Sequence, residues 1–214
     1  YKDQLMVNTG TIPQKEGDPQ NPYFNIWGTT DMSGTPEVIL WRQYSKELGV
    51  VNNVEVGVQH GDFGVGLTRS MVEGYVMKDG KPIYNSAYTY SDQTIADVAT
   101  NRDPRLTIFL KVPGQKNVFK NMSAPEDHYV IDEPYPTITT RNAENDYSTG
   151  YAIRKGGTFD KANTGNGNCY NAAEIFRATE ALLNYMEAEY MLTNSLSGQV
   201  LEYWKDVRKA AGFT

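Results

Sequence analysis

The chain has 214 residues, 39% of them hydrophobic, which is enough apolar material for a real core and too much for a disordered segment. Its formal net charge of -6 leaves no basic stripe of the kind that engages phosphates, so nucleic acid is excluded as an expected partner. A single cysteine, Cys169, excludes a disulfide framework within the chain.

Residues 1–35 read as loop, because Gly10, Pro13, Gly17, Pro19, Pro22, Gly28 and Gly34 interrupt every periodic pattern. Tyr23, Phe24 and Trp27 lie inside this stretch, where large aromatics are either pinned to a core or presented to a ligand. The apolar run from Glu37 to Arg42 predicts a buried strand. Val54, Val56 and Val58 alternate with Glu55 and Gly57 and predict a half-buried strand. Met71, Val72, Tyr75 and Val76 share a helical face behind Thr68, a candidate cap. Lys78-Asp79-Gly80-Lys81-Pro82 is a turn signal.

A tyrosine-rich segment follows, Tyr84-Asn85-Ser86-Ala87-Tyr88-Thr89-Tyr90, and then a short helix around Ile95, Val98 and Ala99. Asn101 to Arg105 is expected to end that helix, since Pro104 disfavours helical geometry at Asp103. Leu106, Ile108, Leu110 and Val112 alternate and predict a strand that stops at Pro113-Gly114. Residues 115–149 are polar, with a strand candidate at Tyr129 to Ile131, and Tyr151 to Arg154 reads as another short strand. Asp160 to Asn171 is a Gly/Asn loop. Its oxygen donors recur at spacings a cation can use, but it lacks the EF-hand pattern and reads as an ordinary polar loop. Cys169 has no adjacent His or basic residue to activate it, and reads as a buried, idle thiol.

The C-terminal part is the most regular. Asn171-x-x-Glu174 looks like a capping box, ahead of a helix from about Ala172 to Leu192 with a stripe through Ile175, Phe176, Thr179, Leu182, Leu183, Met186, Tyr190 and Met191. After a loop at Asn194 to Gly198, Val200, Trp204, Val207 and Ala211 trace a second stripe that Gly212 stops. Two such helices make an antiparallel αα-hairpin of the type stacked in TPR solenoids, with Trp204 expected against Leu183 or Met186. One hairpin cannot bury both of its faces, so it requires neighbours. No second copy of the repeat is present. The fold class that results is mainly α with short β-strands and long loops, divided into a loop-rich region at 1–171 and the hairpin at 172–214.

Several segments carry a resemblance. Phe176 to Ala188 looks like an "R-x-A-E-x-L-L-x-x-A-E-A" motif, with Met186 in place of the usual small residue. Tyr203 to Gly212 is similar to "N-x-V-R-x-R-A-G", Asn101 to Leu106 matches "R-D-P-R-L", Asp79 to Pro82 matches the turn that often precedes it, and Glu37 to Leu40 matches an "E-x-I" strand. In this order they resemble the SusD/RagB family of outer-membrane nutrient-binding lipoproteins. The resemblance implies a SusD-like fold of which this chain is an internal piece. It also implies a surface-exposed place at the cell outer membrane through a lipid anchor outside this piece, and a TonB-dependent, SusC-like transporter as partner. The implied ligand is an oligosaccharide or polysaccharide; a peptide- or glycopeptide-binding relative is the alternative, with a carbohydrate-active enzyme or a helical scaffold as further classes.

Catalytic signatures are missing from the sequence. His60 and His128 lack metal-ligand spacing, and there is no H-E-x-x-H, G-x-S-x-G or P-loop. Asp132 and Glu133 are adjacent on an extended segment and point to opposite faces, so they do not flank one glycosidic bond. The expectation is a binding module without enzyme activity, cofactor or metal. Its ligand residues are expected on loops, at Trp27, Tyr84, Tyr88 and Tyr90, because Phe176, Tyr185, Tyr190 and Trp204 fall on core stripes while these four lie between turn signals. By resemblance, the family's glycan site lies on loops ahead of "R-D-P-R-L", where Tyr84 to Tyr90 stand.

Overall fold

A computed structural model describes residues 1–13, 17–60, 65–117, 131–132, 149–158, 160, 163 and 165–213. After a 3-10 turn at Lys2–Gln4, the elements are α1 (Pro22–Asn25), β1 (Val38–Arg42), α2 (Val54–His60), α3 (Arg69–Gly74), α4 (Ile95–Ala99), α5 (Pro104–Phe109), β2 (Lys116–Asn117), β3 (Ile131–Asp132), β4 (Ala173–Arg177), α6 (Ala178–Thr193) and α7 (Gly198–Ala210). Two small antiparallel ribbons, β1 with β4 and β2 with β3, are the sheets among the described residues. No helix there is long and apolar enough to cross a membrane.

The early aromatics are pinned to the core. Asn21 caps α1 by accepting the amides of Tyr23 and Phe24, and Pro22 starts the helix without wasting a donor. Tyr23, Phe24, Ile26, Trp27 and Met32 then pack with Val38, Ile108 and Phe109 in one buried cluster. A second cluster joins Val72, Val98, Leu106 and Leu110. Helix α5 supplies side chains to both. It is a central bolt of the fold.

That helix replaces the strand predicted from the alternation of Leu106 to Val112. Asp103 accepts the Arg105 amide as N-cap and Pro104 occupies the first turn, so Pro104 begins a helix as well as following one. The alternating pattern misleads because this segment is buried on both sides, and burial on both sides erases the distinction between periods of two and 3.6. Helix α2 corrects a second predicted strand for the same reason. Glu55, Val56, Gly57 and Val58 are all buried, which no half-buried strand allows, and Glu55 accepts the Thr158 amide inside the protein. The predicted strand at Tyr151 to Arg154 is reduced to an isolated bridge between Leu110 and Ile153. Of the candidate at Tyr129 to Ile131, Ile131 falls in β3, while 129 and 130 lie outside the described residues.

Strand β1 forms where expected, but as an exposed ribbon rather than a buried strand: Ile39 and Leu40 face outward. Its partner β4 takes the first turns predicted for the long C-terminal helix. The capping box does not form. Asn171 Nδ2 donates to the Gly156 carbonyl, and Glu174 Oε1 accepts the Trp27 Nε1–H. Glu174 is therefore spent on a distant partner, Asn171 is turned toward Gly156, and α6 starts at Ala178.

The hairpin itself is present. Asn194 ends α6 in the left-handed conformation, α7 folds back, and Tyr185 meets Tyr203 edge to face at 5.6 Å. Ala178, Leu182 and Met186 are buried along α6, and Val200 and Ala210 along α7. Trp204 is 45% exposed, with the Arg208 guanidinium over its ring. Gly212, at φ +98, closes α7 with a Schellman pair, its amide donating to Lys209 O and that of Phe213 to Arg208 O. A Cβ on Gly212 would sit 3.0 Å from Pro104 Cβ, so α7 ends tightly against the start of α5. Asn8 seals this junction, its amide donating to Ala210 O and its Nδ2 to Ala211 O.

Candidate functional site: the tyrosine loop

The segment between Met77 and Tyr90 is a loop built around one carboxylate. Gly80, at φ +77, makes the turn and donates to Met77 O, while Met77 N donates to Lys81 O. Asp79 Oδ1 accepts the Lys81 amide at 3.1 Å. Its Oδ2 reaches further along the chain, accepting Ser86 Oγ–H at 2.9 Å and the Ala87 amide at 3.0 Å. Ser86 Oγ in turn accepts the Tyr88 amide, and Asn85 N donates to Pro82 O. The Ala87 amide above all, then the Lys81 amide and the Ser86 hydroxyl, hold the Asp79 carboxyl below its ordinary range.

The loop is rooted in the "R-D-P-R" segment. Met77 bridges to Arg102, Lys78 N donates to Asn101 O, and Asp103 N donates to Val76 O. Buried Arg102 donates to Val72 O at 2.6 Å, Tyr75 O at 2.9 Å and Val98 O at 3.3 Å, satisfying the open carbonyl ends of α3 and α4 together. Asp103 pairs with Arg105 through both carboxylate oxygens. These charges are structural: each is spent on holding backbone or its own neighbour.

The four expected ligand residues separate in space and in environment. Tyr84 stands at the loop's apex, 88% exposed, and Tyr88 is 37% exposed on the same loop. Tyr90 lies at its root, half-buried, with the Arg102 guanidinium 5.0 Å from its ring centroid, and burial raises its phenol pKa. Trp27 is not with them. It is 7% exposed, set edge to face against Tyr23 and Phe109, with Lys155 at 4.2 Å and Arg177 at 5.3 Å from its ring. Trp27 is thus a core residue rather than a loop residue presented to solvent, although turn signals surround it. Tertiary neighbours more than 80 residues away, such as Phe109, take up its faces, and nothing in the local sequence announces them.

Asp79 is the residue that sequence reasoning missed. The Asp-Gly turn was legible, but its reach to Ser86 and Ala87, seven and eight residues on, follows only from the folded path. Elsewhere, a cleft of about 310 Å³ lies between α1 and Gly157, Thr158 and Asp160, and a mostly apolar hollow of about 450 Å³ lies beside α2 and Lys155. Burial lowers the Lys155 pKa. Cys169 is buried and free, its thiol pushed up by burial, as befits an idle group. In the 160–168 loop, Asn163 Oδ1 accepts the Tyr170 amide and Asn166 Oδ1 accepts Asn53 Nδ2, so these oxygens serve the fold.

Chemically, an exposed aromatic ring on a braced loop offers a flat apolar face with a polar tip, and exposed Asn85 and Thr89 add hydrogen-bonding groups beside it. That suits a ligand with alternating apolar and hydroxylated faces. The Asp79 carboxylate, engaged by three donors, is poorly placed to act as a general acid or base.

Comparison with known proteins gives a consistent picture. A family model described as "SusD family" matches residues 36–214. Among solved structures, BT4246 superposes over 100% of this chain with a TM-score of 0.59 at 17% identity. A SusD-like protein of Bacteroides fragilis NCTC 9343, BF3747, superposes over 94% with a TM-score of 0.52 at 20% identity. This chain spans 40% of the first and 39% of the second. No curated protein matches it.

Proposed function

Since the chain belongs to the SusD family, we propose that it is part of a cell-surface binding protein that captures oligosaccharide or polysaccharide for a TonB-dependent, SusC-like transporter in the outer membrane. In this reading the protein binds and hands over its ligand without chemical change. The Tyr84–Tyr90 loop is the ligand platform, with Tyr84 and Tyr88 stacking on pyranose faces and Tyr90 fixing the loop's root. The observation that carries the reading is an 88% exposed Tyr84 at the apex of a loop whose backbone is braced by Asp79. An exposed aromatic on a slack loop would lose its binding energy to ordering; a braced one does not.

Calorimetric titration with neutral oligosaccharides derived from starch, xylan, mannan and fructan, alongside peptides, tests the ligand class. Saturable binding of at least one oligosaccharide, weakened in Tyr84→Ala or Tyr88→Ala with unchanged melting temperature, supports the reading. Binding of peptides alone favours the peptide-handling alternative, and release of new reducing ends favours an enzyme.

A further inference from the structure

We propose that Arg208 is a positioning residue for the tyrosine loop, holding the Gly80 turn from α7 and so setting where Asp79 presents its carboxylate to Ser86 and Ala87. The inference deepens the glycan-binding reading and rests on it for its consequence in binding.

Arg208 lies in the last turn of α7. Its guanidinium carbon is 4.3 Å from the Phe213 ring centroid and 5.7 Å from that of Trp204. The Schellman closure at Gly212 is what brings Phe213 back over Arg208. Two aromatic rings from the end of the chain thus fix the guanidinium, and fix it against the turn. A Cβ built on Gly80 would collide with Arg208 Nη2 and lie 3.2 Å from Cζ and 3.5 Å from Nη1. The guanidinium therefore rests directly against the turn, whose φ of +77 favours glycine.

The consequence passes to the next residue. Asp79 precedes Gly80, and its two carboxylate oxygens organise Lys81, Ser86 and Ala87. A shift of the turn moves these acceptors, and Tyr84 and Tyr88 ride on the segment they hold. Arg208 need touch neither ring to control them. The contact is one of shape: a planar guanidinium lies over the Phe213 ring and beside Gly80, whereas a lysine ammonium carries the charge without the plane.

Amide hydrogen exchange in the whole chain tests this without any ligand. In Arg208→Ala and in Arg208→Lys, exchange at Lys81 and Ala87 is expected to rise about tenfold, while amides within α6 keep their rates. Val200→Ala, which weakens the buried face of α7 away from Gly80, serves as the control and is expected to raise exchange in α6 as well. Unchanged exchange at Lys81 and Ala87, full rescue by lysine, or an equal rise in α6 overturns the proposal. The oligosaccharide titrations then separate the two ideas. If Tyr84→Ala and Tyr88→Ala leave affinity intact, the glycan platform fails, while the exchange result still decides the role of Arg208.

Discussion

Glu37 and Arg177 form an ion pair across 140 positions of the chain, Nη1 to Oε1 at 2.7 Å, with the Glu37 side chain almost wholly buried. The same oxygen accepts Thr179 Oγ1–H at 2.6 Å, and the other accepts the Met6 amide. One carboxylate thus joins the N-terminal segment, the start of β1 and the junction of β4 with α6. Two segments noted separately in the sequence, "E-x-I" and the arginine ahead of α6, are partners in space.

Glu37→Ala should therefore be among the most damaging single changes. It leaves a partly buried guanidinium, a hydroxyl and an amide without their acceptor, a loss of about 3 kcal/mol or more. Urea denaturation measures it. A double-mutant cycle with Arg177→Ala should return a coupling of about 1–3 kcal/mol; a coupling near zero would mean that Thr179 and Met6 carry the effect.

Arg102 should not tolerate lysine. Its guanidinium serves three carbonyls on two helices, and an ammonium on a different stem does not span them. Arg102→Lys is expected to cost about 2 kcal/mol, read as a lowered denaturation midpoint, with faster exchange at the ends of α3 and α4 before the rest of the protein.

Acid should loosen the tyrosine loop as the Asp79 carboxyl takes up its proton. Hydrogen bonds hold the folded Asp79 carboxyl below its unfolded value near 3.8, so the ordering it contributes is complete above that value and is lost as pH falls through the lower, folded one. The chemical shift of the Ala87 amide, followed from about pH 6 to about pH 2, should report that titration, and Asp79→Asn should abolish it. A midpoint at or above the ordinary carboxylate range would contradict the bracing role.

Trp27 and Tyr84 should behave as opposites. Trp27→Ala opens a cavity among Tyr23, Phe109 and Lys155 and should cost about 3–5 kcal/mol of stability. Tyr84→Ala removes an exposed ring and should change stability by less than about 0.5 kcal/mol, while lowering oligosaccharide affinity by about 1 kcal/mol, roughly fivefold. Paired thermal melts and titrations read both.

The exposed apolar side chains of the hairpin should make the chain associate. Met191 is 77% and Leu192 83% exposed, and Tyr190, Leu196 and Leu201 are exposed with them, an apolar surface of the kind that seeks a partner. Sedimentation velocity should reveal concentration-dependent self-association, reduced in a Met191→Glu, Leu192→Lys variant. A monomer at every concentration would show that this face is tolerated in water.

What the sequence determined by itself is the set of features that short-range chemistry enforces. Thr68 caps α3 through a hydroxyl placed three residues before the amide it accepts. Gly80 and Gly212 turn the chain because they lack a Cβ, and two helices joined by a short loop fold back on each other. The motifs also sufficed to point to the family. What only the tertiary structure decided is where distant groups compete for the same side chain. Glu55 to Val58 and Leu106 to Phe109 lie in helices largely buried on both sides, so their alternation carried no information about period. Glu174 is turned to Trp27 and Asn171 to Gly156, partners from other parts of the chain, where the sequence suggested a cap. Trp27 left the surface and Tyr84 stayed on it, although both sit between similar turn signals. The difference is Phe109, Lys155, Glu174 and Arg177 around one ring and solvent around the other, and that arrangement exists only once the chain has folded.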